Sequence, residues 1–485
     1  MFPAVAFAVG IAFCAWTAAA RAESTSSLLG EAEPKSYLRW LGPLAPRASA
    51  LPPVPSPLRD PDQVWTIEKA LVRTLQANSD VQVALANVQR QDGLRLQTAA
   101  ALLPRLGISG SLDRRAEGLI DRSAGEFSVP PILRTAVAGR AFDVRLGLRQ
   151  NLFDGLSSWR QIQRMAVLKK KASVDARELF LRVASTVRQA YDAVLFRQTI
   201  LGTRRDAVRD LAQLSEVARK RFTAGQISEF ESLRAESALR SSEADLAQAE
   251  ADLARAQEML CRILNIDTPA QGLRLTGSLA LLEYREPFLA ALSRAQAGRL
   301  DLRSAELQLE AAQMANRAVL GGYLPRLEAF ADYGRRSSYY DYNRHLEGWT
   351  VGITGRWDIF DGGQTAGAAR AQRAERRIAE IRLAETQKTV GSQIRELFAG
   401  LDQQKTVMAA QASARDLAGR SRQEAQRLFE VGRVSTEQVL NTDIAFRQAS
   451  LGYLAAVFTY NTTVYQLDYA TANEAFLDAV TRMEQ

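Results

Sequence analysis

The chain carries few groups that could do covalent chemistry. His345 is the only histidine in 485 residues. That excludes Ser-His-Asp and Cys-His nucleophiles and any metal site built from histidines. Cys14 and Cys261 are the only cysteines. Cys14 lies in an apolar N-terminal run, so a processed chain would keep Cys261 alone, with no internal disulfide. Cys261 reads as a small buried hydrophobe on a helix. Asp and Glu are plentiful, but they recur with Arg at i,i+3 and i,i+4 spacing, the pattern of solvated helix faces. No Gly-rich phosphate loop is present. The sequence therefore predicts neither an enzyme nor a bound cofactor or metal. The formal charge of +8 comes from interspersed basic and acidic residues, with no basic block that would point to nucleic acid.

The residues that remain informative are positional ones, and they come in pairs. Leu102-Leu103-Pro104-Arg105-Leu106 returns as Tyr323-Leu324-Pro325-Arg326-Leu327, 221 residues later. Asn151-Leu152-Phe153-Asp154-Gly155 returns as Asp358-Ile359-Phe360-Asp361-Gly362, at an offset of 207. Phe222-x-x-Gly225-x-Ile227-Ser228 returns as Phe429-x-x-Gly432-x-Val434-Ser435, again at 207. Three motifs repeated in one order mean that the body is one unit written twice. The expected organisation is an export signal over 1–22, ending in Ala20-Arg21-Ala22, and a Pro-rich extended segment over 23–63. A first repeat over 64–270, a second over 271–475 and a tail over 476–485 follow.

Within each repeat the hydrophobic period changes. Phe180, Val187, Val194, Leu201 and Val208 recur every seven residues, a coiled-coil seam. The spacing predicts long helices over about 156–222 and 228–264, and again over 363–429 and 435–470. The returning helix carries Leu239, Leu246, Leu253 and Leu260; its copy has Phe446, Tyr453, Tyr460 and Leu467. Between the helices the period becomes two. Phe142, Val144, Leu146 and Leu148 alternate with Asp143, Arg145, Gly147 and Arg149, and Trp349, Val351 and Ile353 alternate with Thr350, Gly352 and Thr354. Strands are expected over about 105–116, 141–153, 326–337 and 348–360. They have the length and the one apolar face of a barrel wall, with lipid outside and water inside; the alternative is a soluble antiparallel sheet over a core. Four strands cannot close a barrel, and an open edge is not tolerated in lipid. Two chains would give an eight-stranded barrel filled by its own side chains, whereas three would supply twelve strands and leave a lumen.

These paired motifs resemble the TolC family of outer-membrane efflux and secretion channels over about residues 64–475. The resemblance implies a mainly helical fold: a homotrimer with a twelve-stranded outer-membrane β-barrel continuous with a periplasmic α-helical coiled-coil barrel. It implies a passive conduit in the outer membrane of a Gram-negative-type bacterium, serving tripartite efflux or type I secretion. The implied partners are a periplasmic adaptor, an inner-membrane RND or ABC transporter and outer-membrane lipid. The alternative is a non-channel periplasmic coiled-coil adaptor or an envelope spacer, which would have no use for doubled amphipathic strand pairs.

Gly225 and Gly432 sit where two long antiparallel helices reverse, and Ser228 and Ser435 suit the N-caps of the returning helices. By resemblance, Ala224-Gly225-Gln226 and Val431-Gly432-Arg433 are adaptor-docking tips. Positions just after the second tip, where relatives often carry an acidic ring, hold Gln438 and Asn441, and the first repeat keeps Glu231. A ring of neutral amides at this aperture predicts a weaker cation preference than a ring of carboxylates.

Overall fold

The structure, a computed structural model, describes residues 64–114, 140–267, 273–337, 345–431 and 433–472. The expected export signal, the Pro-rich segment, the C-terminal tail, most of both strand connections and Gly432 lie outside the described residues. In chain order the first repeat contains β1 (Val64–Trp65), α1 (Ile67–Ala77), α2 (Ser79–Ala99), β2 (Arg105–Arg114), β3 (Arg140–Phe153), α3 (Ser157–Thr223) and α4 (Glu229–Leu264). The second contains β4 (Arg274–Leu275), α5 (Phe288–Gly298), α6 (Leu300–Val319), β5 (Arg326–Ser337), β6 (His345–Arg356), α7 (Gln364–Glu430) and α8 (Thr436–Ala470). No described helix is long and apolar enough to cross a membrane.

The chain divides into two compact units. The sheet unit holds Gln89–Lys170 and Leu307–Ile381. Its four strands are antiparallel in the order β2-β3-β5-β6. Alternation gives the sheet two unlike faces. Leu106, Ile108, Leu112, Val351 and Ile353 share one face and are largely exposed in the single subunit, Ile108 by 79%. Such a face needs an apolar surrounding. The other face carries Arg105, Arg149, Glu328, Asp332 and Arg356. β6 ends at Arg356, short of the expected end at Phe360. Its partner β5 begins only at Arg326, directly after Pro325, whose missing N–H cannot extend the ladder. The Trp357 indole N–H instead donates to the Tyr323 carbonyl at 3.2 Å.

The paired Phe-Asp-Gly turns convert strand into helix. Asp154 Oδ2 accepts from the Ser158 backbone N–H at 2.9 Å, and Asp361 accepts from those of Gly363 (3.0 Å) and Thr365 (2.8 Å). Each carboxylate thereby satisfies otherwise orphaned donors at a helix start. These hydrogen bonds hold the Asp361 carboxyl below its usual range, the Thr365 contacts contributing most.

The helical unit holds residues 64–88, Lys171–Glu306 and the described chain after Arg382. Of the first seam, Phe180, Val187, Val194 and Leu201 are buried, and Val208 is half-buried. On α4 the buried heptad line is Ala235, Ser242 and Ala249; of the expected leucines, Leu260 is fully buried, while Leu239, Leu246 and Leu253 are only half-covered. Small residues take the closest positions and leave those leucines at the margin. Arg204–Asp245 (2.7 Å) and Arg197–Asp252 (3.3 Å) fix α3 and α4 as antiparallel neighbours. The core packs Leu401, Tyr460, Val464 and Leu467 with Leu282 and Tyr284 from the segment joining the repeats.

One buried amide anchors the part of that joining segment next to α8. Asn461, 1% exposed, accepts from the Leu282 N–H (3.1 Å) and donates to the Ala280 carbonyl (2.8 Å) and to Asp192 Oδ2 (3.4 Å). The Tyr465 hydroxyl donates to the same Asp192 oxygen at 2.8 Å. Burial raises the Asp192 pKa above the ordinary 3.8, against the opposing pull of Tyr465, Asn461 and Arg188. An acid with a raised folded pKa holds its proton more tightly when folded. Its favourable contribution is therefore complete below pH 3.8 and is lost as pH rises through the raised value. Asp192→Asn keeps an acceptor for both donors and removes the titration. The variant should gain stability relative to the parent as pH rises through that window, read by thermal unfolding across a pH series. Parallel profiles for the two proteins would refute the assignment.

Candidate functional site

The helix reversals are built by local backbone geometry. Gly225 has φ +72° and caps α3. Its N–H donates to the Phe222 carbonyl, and the Gln226 N–H donates to that of Arg221, both at 2.8 Å. This pair of bonds is a Schellman cap, with glycine at the left-handed position. In the second hairpin the Arg433 N–H donates to the Leu428 carbonyl at 2.8 Å, matching the Gln226 bond at the repeat offset. Ser228 accepts from the Glu231 N–H (3.3 Å) and Ser435 from that of Gln438 (3.4 Å), so both serines start the returning helices.

Ala224, Gly225, Gln226, Val431 and Arg433 are all exposed, Val431 by 67%. A partner could therefore reach either tip. Two residues that sequence reasoning missed widen the first: Phe230 and Leu233, one helical turn apart and exposed by 70% and 58%. An i,i+3 apolar pair lying off the Leu239–Leu246–Leu253–Leu260 line was their signal. The Arg221 guanidinium lies 4.6 Å over the Phe429 ring, and Arg234 pairs with Glu437 at 2.8 Å, so the two hairpins touch through side chains.

At the expected aperture, Gln438 has a structural task. Its Oε1 accepts from the Ser435 N–H at 3.3 Å, completing a reciprocal capping box. Glu231 stands at the matching place in the first hairpin and is half-buried; Asn441 is exposed.

Behind the second tip lies a charged cluster that spacing did not reveal. Asp443 and Arg447, one turn apart on α8, are 11% and 12% exposed and ion-paired. Arg447 also reaches Asp210 Oδ2 on α3 at 3.0 Å and the Thr203 carbonyl at 3.5 Å. Arg422 on α7 contacts Asp210 at 3.2 Å and Asp443 at 2.9 Å. Two carboxylates and two guanidiniums thus tie three helices together.

Among the described residues no three His, Cys, Asp or Glu side chains converge to hold a metal ion. Cys261 is buried, which pushes its thiol pKa up to about 11 and leaves it protonated and unreactive at neutral pH.

The geometry has counterparts among known proteins. The family model described as "Outer membrane efflux protein" matches residues 70–265 and 291–473, one segment in each repeat and together more than half of the chain. The solved outer membrane channel CmeC of Campylobacter jejuni superposes with a TM-score of 0.72 at 16% identity, covering 84% of this chain and 85% of that one. The outer membrane protein VceC of Vibrio cholerae gives 0.69 at 15% identity, covering 84% and 94%. The open-state MtrE outer membrane channel of Neisseria gonorrhoeae gives 0.69 at 15%, covering 84% and 88%. At these identities the likeness establishes the fold. No curated protein sequence matches the chain.

Proposed function

Because this chain belongs to the outer membrane efflux protein family, we propose that three copies close their sheets into one twelve-stranded barrel and carry cargo outward for an inner-membrane pump. The protein is an outer-membrane efflux channel that extends into the periplasm. The observation that carries the trimer is the open sheet. β2 and β6 are edge strands, and the face bearing Ile108 and Ile353 is uncovered in the single subunit. In lipid every strand edge must be paired, so further copies have to complete the wall. The half-covered leucines of α4 support the same reading, since a neighbouring subunit's helices would complete their burial.

The exposed residues Ala224, Gly225, Gln226, Val431 and Arg433 mark the proposed docking tips, Ala224-Gly225-Gln226 and Val431-Gly432-Arg433, for a periplasmic adaptor, which would link the channel to an RND or ABC transporter. Glu231, Gln438 and Asn441 are the proposed aperture. Its neutral amides give it little charge with which to favour cations, and the capping role of Gln438 keeps that side chain at the helix start. The channel adds no chemistry of its own; the pump supplies the driving force.

The test is photocrosslinking from Ala224 and Val431 in native membranes, read by mass spectrometry. The expected result is crosslinks to a periplasmic adaptor that co-purifies with a proton-driven or ATP-driven pump. Trimers that crosslink to neither, under conditions that preserve a known tripartite control, would overturn the docking assignment.

A further inference from the structure

The polar face of the sheet carries an arrangement of arginines that folding alone does not favour. At the strand ends nearest the helices, Arg105 on β2 stands directly opposite Arg149 on β3. Arg326 on β5 stands directly opposite Arg356 on β6. Like charges directly across a strand pair destabilise a sheet, yet the pairing occurs in both hairpins. Compensation is partial. Arg149 lies 3.7 Å from Glu328, and Arg356 lies 3.1 Å from Asp358. Among the described residues Arg105 and Arg326 make no ion pair. The nearby Asp154 and Asp361 are committed to the helix-start N–H groups described above, so their charge is set against the positive ends of α3 and α7.

All four arginines line one recess of about 980 Å3 on this face, together with the four carboxylates just named, Asp154, Glu328, Asp358 and Asp361. Because the opposite face is the apolar one that meets lipid, the recess opens to the water-filled interior. Guanidinium groups present forked donors that match the paired oxygens of phosphate, carboxylate or sulfonate groups.

We propose that the base of the barrel is an anion-binding belt formed by Arg105, Arg149, Arg326 and Arg356, and that the channel passes cargo bearing phosphate, carboxylate or sulfonate groups. This rests on the channel reading and names the cargo class for it. A bound anion placed between the arginines relieves the like-charge opposition in both hairpins. Arg149 and Arg356 are 66% and 77% exposed, so water screens the site and binding is weak and exchanging. A conduit needs that property, because cargo must also leave.

The probe is inorganic pyrophosphate, titrated onto detergent-solubilised full-length trimers and followed by phosphorus NMR line broadening, which reads weak binding. The parent should broaden the line. R105Q/R326Q should require about tenfold more protein for the same effect, the loss expected for removing charge-assisted hydrogen bonds, while R105K/R326K keeps the charge and falls between. Removing exposed arginines from like-charge pairs spares folding, which trimer mobility on gels verifies. No broadening by the parent, or equal broadening by all three proteins, would overturn the belt. Bilayer reversal potentials in a KCl gradient provide the second readout, with the chloride-to-potassium permeability ratio falling severalfold in R105Q/R326Q. A ratio unchanged in conducting channels also counts against the belt. A protein that binds pyrophosphate through these arginines but conducts no ions keeps the belt and counts against the channel reading.

Discussion

Gly155→Ala is expected to abolish stable trimers, whereas Gly362→Ala at the matching turn should cost only about 1–2 kcal/mol. The two glycines occupy the same motif with nearly the same backbone, φ +69° and φ +67°. A side chain at either pays the left-handed penalty of about 1–2 kcal/mol. At Gly362 an added Cβ meets nothing within 4 Å. At Gly155 it would overlap the Gly321 carbonyl oxygen and lie 2.8 Å from the Gly321 Cα. The obstacle is main chain, which cannot rotate aside. Leu156, the next residue, already sits at φ 63°, so the turn has little freedom to yield. Above about 4 kcal/mol the loss falls in the range that unfolds marginal structures. Gly321→Ala should behave like Gly155→Ala, since its Cβ would lie 2.7 Å from the Gly155 carbonyl oxygen. Thermal unfolding of purified protein and trimer yield from membranes measure all three. Equal effects at Gly155 and Gly362 would sink the argument.

That contrast shows where sequence reading stops. The doubled Phe-Asp-Gly turn is plain from residue identity and spacing, and its aspartates cap helices for reasons any sequence carries. The difference between its two copies depends on which backbones cross there, and no periodicity encodes that. The α4 heptad shows the same limit. Leu239, Leu246, Leu253 and Leu260 mark a helix and its period, yet the structure fully buries only Leu260 of them and elsewhere buries Ala235, Ser242 and Ala249 instead. Hydrophobicity names the seam a chain would prefer, while small size decides where helices come closest. At the tips, Ser435-x-x-Gln438 was legible as a capping box, and the resemblance drew attention to the aperture instead. Arg105 and Arg326 were visible as repeated residues of the Leu-Pro-Arg-Leu motif. Their opposite numbers, Arg149 and Arg356, emerge only once strand register is known. Asp210, Arg422, Asp443 and Arg447 are scattered over three helices, so their meeting required the fold.

Arg447→Ala is expected to loosen the second hairpin and raise channel opening by about tenfold or more, because it removes one of the two guanidiniums that join Asp443 to Asp210 on α3, and the more buried of them. Breaking a buried ion pair by deleting one partner costs about 3–5 kcal/mol, since a desolvated charge is left behind. Asp443 is 11% exposed and qualifies; Asp210 is 40% exposed and contributes little. Arg422 remains beside Asp443 and recovers part of the loss, so about 2–3 kcal/mol is the expected net effect. The loss is local to α3, α7 and α8, where it favours separation of the hairpins over global unfolding. Arg447→Lys restores a charge but not the fork that serves two carboxylates, and should fall between parent and alanine. The comparison is Arg234→Ala, which deletes the exposed pair with Glu437, 39% and 53% exposed, and should change opening by less than about 1 kcal/mol. Single-channel recordings in planar bilayers separate the cases, with thermal unfolding as the check on folding. A hairpin held mainly by apolar packing would leave Arg447→Ala and Arg234→Ala alike, because neither substitution touches the Val439–Leu440 apolar pair buried just past the tip. Unequal opening with equal melting temperatures would place the effect in the tip itself, as the position of the cluster on α7 and α8 requires.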